Sequence, residues 1–146
     1  MEMASMDEEQ AVKTYPRYQK DLQEDTDVGY VYAAALNFCG RHSESVSVLQ
    51  SLQGRLQNYD TELLAGDDEL TLGHWASAQK HFETAHHMVP IRFMPLYGLM
   101  QAYQGQGNIS QAKYVARIIL SKPVKVPSED VRFVKEEARK LLATHQ

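Results

Sequence analysis

The chain has a single cysteine, Cys39, so it can form no internal disulfide and no multi-cysteine metal site. Cys39 closes the apolar pattern Val31–Phe38, where a thiol with no adjacent base or helix N-terminus is expected to act as a small buried hydrophobe. No apolar run approaches the roughly 20 residues that span a bilayer. The opening MEMASMDEEQ is acidic and polar, where a secretory signal is basic and then apolar. Basic residues are not in excess either. Lys and Arg number 15 against 19 Asp and Glu, a net charge of −4, which argues against general nucleic-acid binding because that requires a basic face to displace counterions. No Gly-rich phosphate loop, nucleophile elbow or HExxH motif occurs. His81, His86 and His87 lack the three- or four-residue spacing of helical metal ligands, and histidines in a last turn are expected to serve the helix dipole. Asp67, Asp68 and Glu69 cannot converge on one substrate from adjacent helical positions, so the triplet reads as a solvated face. The sequence therefore predicts no catalytic residue, no cofactor and no metal site.

At 146 residues one domain is expected, long enough to bury about two-thirds of its unfolded surface. Hydrophobic residues make up 43% and charged residues 23%, the balance of a soluble globular chain rather than a disordered one. Residues 59–90, YDTELLAGDDELTLGHWASAQKHFETAHHMVP, set the pattern for the rest. Gly73 breaks a first helix, and Ala78, Phe82 and Ala85 then recur at helical spacing on one face of a second. Ala78 and Ala85 admit a close neighbour, Phe82 fills the gap between them, and Pro90 cannot continue the ladder. The pattern repeats. Gly107 and Ala112 lie 34 residues beyond Gly73 and Ala78, Gly40 and Ser45 lie 33 before them, and Ala11 lies 34 before Ser45.

Gly66, Gly73, Ala78, Phe82, Ala85 and Pro90 resemble the tetratricopeptide pattern G…A-x3-F…P in a unit of about 34 residues. Glu62 and Glu69 stand where that family carries its tryptophan and tyrosine. The resemblance implies an all-α fold, a right-handed superhelical solenoid of about three and a half hairpins closed by a C-terminal capping helix. Residues 1–9 read as disordered or vector-derived, and 10–146 as one tetratricopeptide-like domain. Within it, 9–23 is a half repeat bent by Pro16, and 26–57, 59–90 and 93–122 are full repeats. Helices are expected at 28–38, at 44 to about 57 with Leu56 in its apolar stripe, and at about 61–72, 75–88, 92–105 and 109–120. SKPVKVPSEDV forms an extended connector, and Ser128 caps a final helix, 128–143, whose inner face is Val131, Val134, Ala138 and Leu141 or Leu142. The half-hairpin start is expected to mark a chain cut from a longer protein or an atypical N-terminal part, and it leaves an apolar edge through which a homodimer can form.

In the family that these residues resemble, first helices line a concave groove. That implies groove positions Tyr30, Ala34, Asn37 and Phe38 from one repeat, Asp60, Leu63, Asp67 and Leu70 from the next, and Met94, Tyr97, Gln101 and Gln104 from the last. The candidate partner-binding residues are accordingly Tyr30, Asn37, Phe38, Asp60, Asp67, Met94, Tyr97, Gln101 and Gln104, a mixture suited to an extended peptide or a helix. Packing between repeats is the competing role for Tyr30, Phe38 and Leu70. The paired lysines and asparagines of the family's two-carboxylate clamp are absent. More narrowly, AHHMVPIRFMPLYGLM, the following A-x3-A-x-x-I run of Ala112, Ala116 and Ile119, KPVKVPS and the closing helix resemble the C-terminal repeat region of Bacteroides-type O-antigen ligase or polymerase-like membrane proteins. This implies a bacterial, non-catalytic interaction scaffold, soluble itself and tethered through a membrane-embedded parent, on an unspecified side of the membrane. A free-standing adaptor is the alternative. A glycan-binding module using Tyr30, Trp75 and Tyr97 is a third reading, in which Trp75 faces away from the groove.

Overall fold

The computed structural model describes residues 26–52 and 54–144, together with Glu9, Gln10 and Lys13. Apart from those three positions, the disordered start expected at 1–9 and the half repeat expected at 9–23 lie outside the described residues. The described residues form helices and no strand. In order these are α1 (Thr26–Phe38), α2 (His42–Leu52), α3 (Tyr59–Thr71), α4 (Trp75–Met88), α5 (Met94–Gly105), α6 (Ile109–Ser121) and α7 (Glu129–Leu142). Each packs against the next in sequence, and α1 touches α3, α3 touches α5, and α5 touches α7. The odd-numbered helices thus form one continuous layer.

Three of the connections are the same turn. Gly40, Gly73 and Gly107 have φ of 79°, 80° and 77°. At each, the glycine N–H donates to the carbonyl three residues back, and the next N–H donates to the carbonyl five residues back, as in Gly73 to Leu70 and His74 to Glu69. This is the double bond of a glycine-terminated helix, which only a residue free to adopt positive φ makes without strain. Gly73→Ala is expected to lower stability by about 1–2 kcal/mol, read as a drop in the urea midpoint at unchanged slope.

The largest core cluster spans α4 to α7 and includes Phe82, Phe93, Leu96, Met100, Val115, Ile119, Val134 and Leu141. Phe82 on α4 is its keystone. A β-carbon built on Gly66 of α3 would lie 2.7 Å from the Phe82 ring, and one on Gly98 of α5 would lie 2.5 Å from it. The ring therefore occupies slots that the two glycines leave open. Trp75 is seated in the same way, since a β-carbon on Gly105 would fall 2.3 Å from its indole. At the far edge, α7 covers α6 with Val134, Ala138 and Leu141. Lys135 of α7 donates to the carbonyls of Ile119, Leu120 and Lys122 at 3.0, 3.2 and 3.0 Å, satisfying the otherwise open C-terminus of α6.

Two expectations need correction. The helix expected to run to about Gln57 ends at Leu52. Gly54 has φ of 90°, and Asn58 and Thr61 form a reciprocal capping box that starts α3 at Tyr59, so Leu56 lies in the connection rather than on a helical stripe. Nor is the acidic triplet a solvated face. Only Asp67 is exposed, while Asp68 is wholly buried and Glu69 is buried with Glu62. The buried positions Thr61, Glu62, Ala65, Asp68 and Glu69 recur at helical spacing, so one side of α3 is packed on its neighbours despite its carboxylates. Each buried acid meets a histidine. Glu62 lies 2.8 Å from His81, Asp68 lies 2.7 Å from His42, and Glu69 lies 3.3 Å from His74. This pairing is what makes carboxylates tolerable inside the bundle.

Candidate functional site

The odd-numbered layer carries an open groove of about 440 Å³. Tyr30 of α1, Asp60 and Asp67 of α3, and Met94, Tyr97 and Gln101 of α5 all line it. Six of the sequence-predicted positions are thereby brought together on three helices. Leu63 and Leu70 supply apolar wall, and Phe82 reaches the groove beside Gly98. Helical spacing explains the placement. Asp60, Leu63, Asp67 and Leu70 are separated by three or four residues, as are Met94, Tyr97 and Gln101, so each set forms one stripe.

The remaining predicted positions lie elsewhere. Phe38 does not line the groove and is 55% exposed at the end of α1. Gln104 lines a neighbouring recess with Tyr97, Gln101, Glu137 and Lys140, so the surface continues from α5 onto α7. Asn37 stands behind the groove. Its amide donates to Asp67 Oδ2 at 2.9 Å and to Asp68 Oδ1 at 2.8 Å, joining a groove carboxylate to the buried one. Asn37 is thus a support of the groove rather than part of its lining.

The buried cluster behind Asn37 is closely hydrogen-bonded. Ser45 Oγ lies 2.5 Å from Asp68 Oδ2 and 2.9 Å from the Ala33 carbonyl oxygen. A hydroxyl has one proton, so Ser45 donates to Asp68 Oδ2 or to the Ala33 carbonyl oxygen, and a protonated Asp68 carboxyl would serve both contacts at once. Burial raises the Asp68 pKa above its usual value, against the opposing hydrogen bonds of Ser45, His42 and Asn37.

The groove itself is acidic and aromatic. Neither Asp60 nor Asp67 has an ion-pair partner among the described residues. Burial raises the pKa of Tyr30, with a further push from Asp60, and burial followed by Glu137 does the same for Tyr97. Both phenols stay neutral and available as donors. Tyr97 is held edge-on to Phe133 of α7, with ring centroids 5.6 Å apart and planes at 84°, which fixes its orientation.

Phe133 escapes the sequence reading, which treats α7 only as a cap whose inner face is Val131, Val134, Ala138 and Leu141 or Leu142. The same reading misses a second recess of about 560 Å³ adjoining the groove. Its walls include Tyr59, Ile91, Arg92, Phe93, Lys122, Lys125 and Val126, and Met94 lines both spaces. The signal was the clustering of Arg92, Lys122 and Lys125 around the prolines of two connections, which shows only once those connections fold beside each other.

Chemically the site offers carboxylates, neutral phenols, a carboxamide and apolar wall, a set suited to recognition by contact. Among the described residues no group of three His, Cys, Asp or Glu could hold a metal ion, and no helix is long and apolar enough to cross a membrane. Comparison with protein-family models and with curated proteins finds no match to this chain.

Proposed function

We propose that the chain is a non-catalytic protein-interaction module of the tetratricopeptide kind, a right-handed solenoid whose odd-numbered helices hold an extended peptide. The observation that carries this reading is the groove. Positions on α1, α3 and α5 that the family resemblance assigns to a concave face line one open space, with two carboxylates that have no ion-pair partner among the described residues and a Tyr97 ring oriented by Phe133. The recurrence of one glycine turn at Gly40, Gly73 and Gly107 supports a repeated hairpin as the underlying unit. A glycan platform is less well supported, because Trp75 packs on Gly105 and is not part of the groove lining.

The resemblance in residues 85–142 supports a setting for such a module as the soluble tail of an O-antigen ligase or polymerase-like membrane protein in bacterial surface-polysaccharide assembly. Coding sequence for membrane segments immediately upstream of this chain distinguishes that setting from a free-standing adaptor. The module itself is tested with a random peptide array. The chain is expected to retain a defined subset of peptides, and an Asp60→Ala/Tyr97→Ala/Gln101→Ala variant to bind them about tenfold or more weakly. Its melting temperature should stay close to the parent's, since none of the three side chains is buried. Retention that the triple substitution leaves unchanged overturns the groove as the binding site.

A further inference from the structure

The groove and the adjoining recess have opposite charge. The groove presents Asp60 and Asp67, while the recess presents Arg92, Lys122 and Lys125 with Asp130 as the one acid among its lining residues. Two of the recess cations are held in place. The Lys122 ammonium donates to the Pro90 carbonyl at 2.6 Å and lies 5.9 Å from the Phe93 ring centre, and the Arg92 guanidinium lies 5.9 Å from that of Tyr59. Lys125 makes no ion pair among the described residues. Between these cations the wall is apolar and open, with Ile91 61% exposed and Val126 77% exposed. In a chain whose net charge is −4, a cationic recess with such walls is matched to an acidic group next to a large apolar one.

The two spaces also form one surface. Met94 lines both, and Tyr59 of the recess is the immediate neighbour of Asp60 of the groove. We propose that the recess is the second half of a single bipolar peptide site. A ligand places a lysine or arginine between Asp60 and Asp67 and, beyond Met94, an acidic residue and a large apolar side chain against Arg92, Lys125, Ile91 and Val126. This rests on the peptide-binding reading of the groove and adds to it the charge order of the ligand. An extended chain suits the geometry because successive side chains of one strand can enter neighbouring spaces of opposite sign.

The test uses an array of fluorescent ten-residue peptides with one cationic and one acidic–apolar half, in both chain directions, together with peptides lacking one half or the other. The chain is expected to select bipolar peptides in one direction. An Arg92→Glu/Lys125→Glu variant should bind them about tenfold more weakly while still preferring the cationic half, and should gain affinity for peptides in which lysine replaces the acidic residue. Asp60→Lys/Asp67→Lys should invert the preference at the other half alone. Affinity for the bipolar peptides should fall as salt is raised from 0.05 to 0.5 M. If the Arg92/Lys125 reversal leaves the selection unchanged while the Asp60/Asp67 reversal alters it, the recess is not part of the site and the groove reading stands. If no peptide is retained, both fall. Both reversals replace exposed side chains, so unchanged melting of each variant shows that the fold is intact.

Discussion

Phe82→Ala is expected to remove about 3–5 kcal/mol of stability, a large share of the roughly 5–15 kcal/mol typical of a folded domain. The ring is 3% exposed and fills slots on two helices at once, so its loss leaves a cavity bordered by glycine backbones that have no side chain to swing into it. The reverse experiment is the sharper one. Gly98→Ala adds a single methyl group 2.5 Å from Phe82 Cε1, too close for van der Waals contact, so α5 or the ring must move at a cost of about 1–3 kcal/mol. In helix propensity alone the same change would stabilise by about 1 kcal/mol, so a net loss isolates the packing term. Combining Gly98→Ala with Phe82→Leu should cost less than the sum of the two, because the smaller side chain vacates the contested space. Urea unfolding of the three variants measures this, and strict additivity would remove Phe82 as the keystone.

The second large effect concerns Asp68. Asp68→Ala leaves Ser45, His42 and Asn37 without the acceptor or donor they share and should cost about 3–5 kcal/mol. Asp68→Asn should behave differently. Its carbonyl can accept from Asn37 and His42, and its NH₂ can donate to Ser45, so it copies the protonated acid and is expected to stay within about 1 kcal/mol of the parent at acidic pH, where the folded carboxyl is neutral. The two should then diverge with pH. The folded-state pKa of Asp68 lies above the ordinary value of 3.8 because of burial. Between 3.8 and that raised value the unfolded chain releases the proton while the folded chain keeps it. The stabilisation from the neutral carboxyl is therefore complete below 3.8 and is lost as pH rises through the folded-state pKa, with a slope of up to about 1.4 kcal/mol per pH unit. Asn has no such term, so the gap between Asp68→Asn and the parent should move in favour of Asn across that window. His42, Asn37 and Ser45 face the carboxyl, and the Asp67 carboxylate shares Asn37 with it. An identical pH dependence in the two proteins would place the proton elsewhere in the cluster.

Much of the helical framework could be read from the sequence because its signals are local. The interval between Gly40, Gly73 and Gly107 locates three turns, and each depends on bonds within six consecutive residues. The groove stripes follow from the tetratricopeptide resemblance, and helical spacing agrees with it by putting Asp60 and Asp67, or Tyr97 and Gln101, on one face of a helix. The acidic triplet was misread because what makes Asp68 a core residue is remote in sequence. His42, Ser45 and Asn37 lie 26, 23 and 31 residues away from it, and no local pattern shows that they will meet it. The end of α2 was missed because Leu56 continues the apolar period, while the positive φ at Gly54 and the Asn58–Thr61 box outweigh it. The basic recess depends on two connections folding side by side, which neither connection reveals alone.

The three matching glycine turns bear on how such a chain can vary over evolutionary time. Each ends its helix with the same backbone angles and the same pair of bonds, so the stretch between one turn glycine and the next is an exchangeable cassette. An in-frame duplication or deletion of that stretch joins like to like and leaves the junction chemistry untouched. The number of hairpins, and with it the length of the odd-numbered layer, can then be altered by whole-unit genetic events. The residues that line the layer change one codon at a time, so its length and its surface chemistry can be inherited as separate traits.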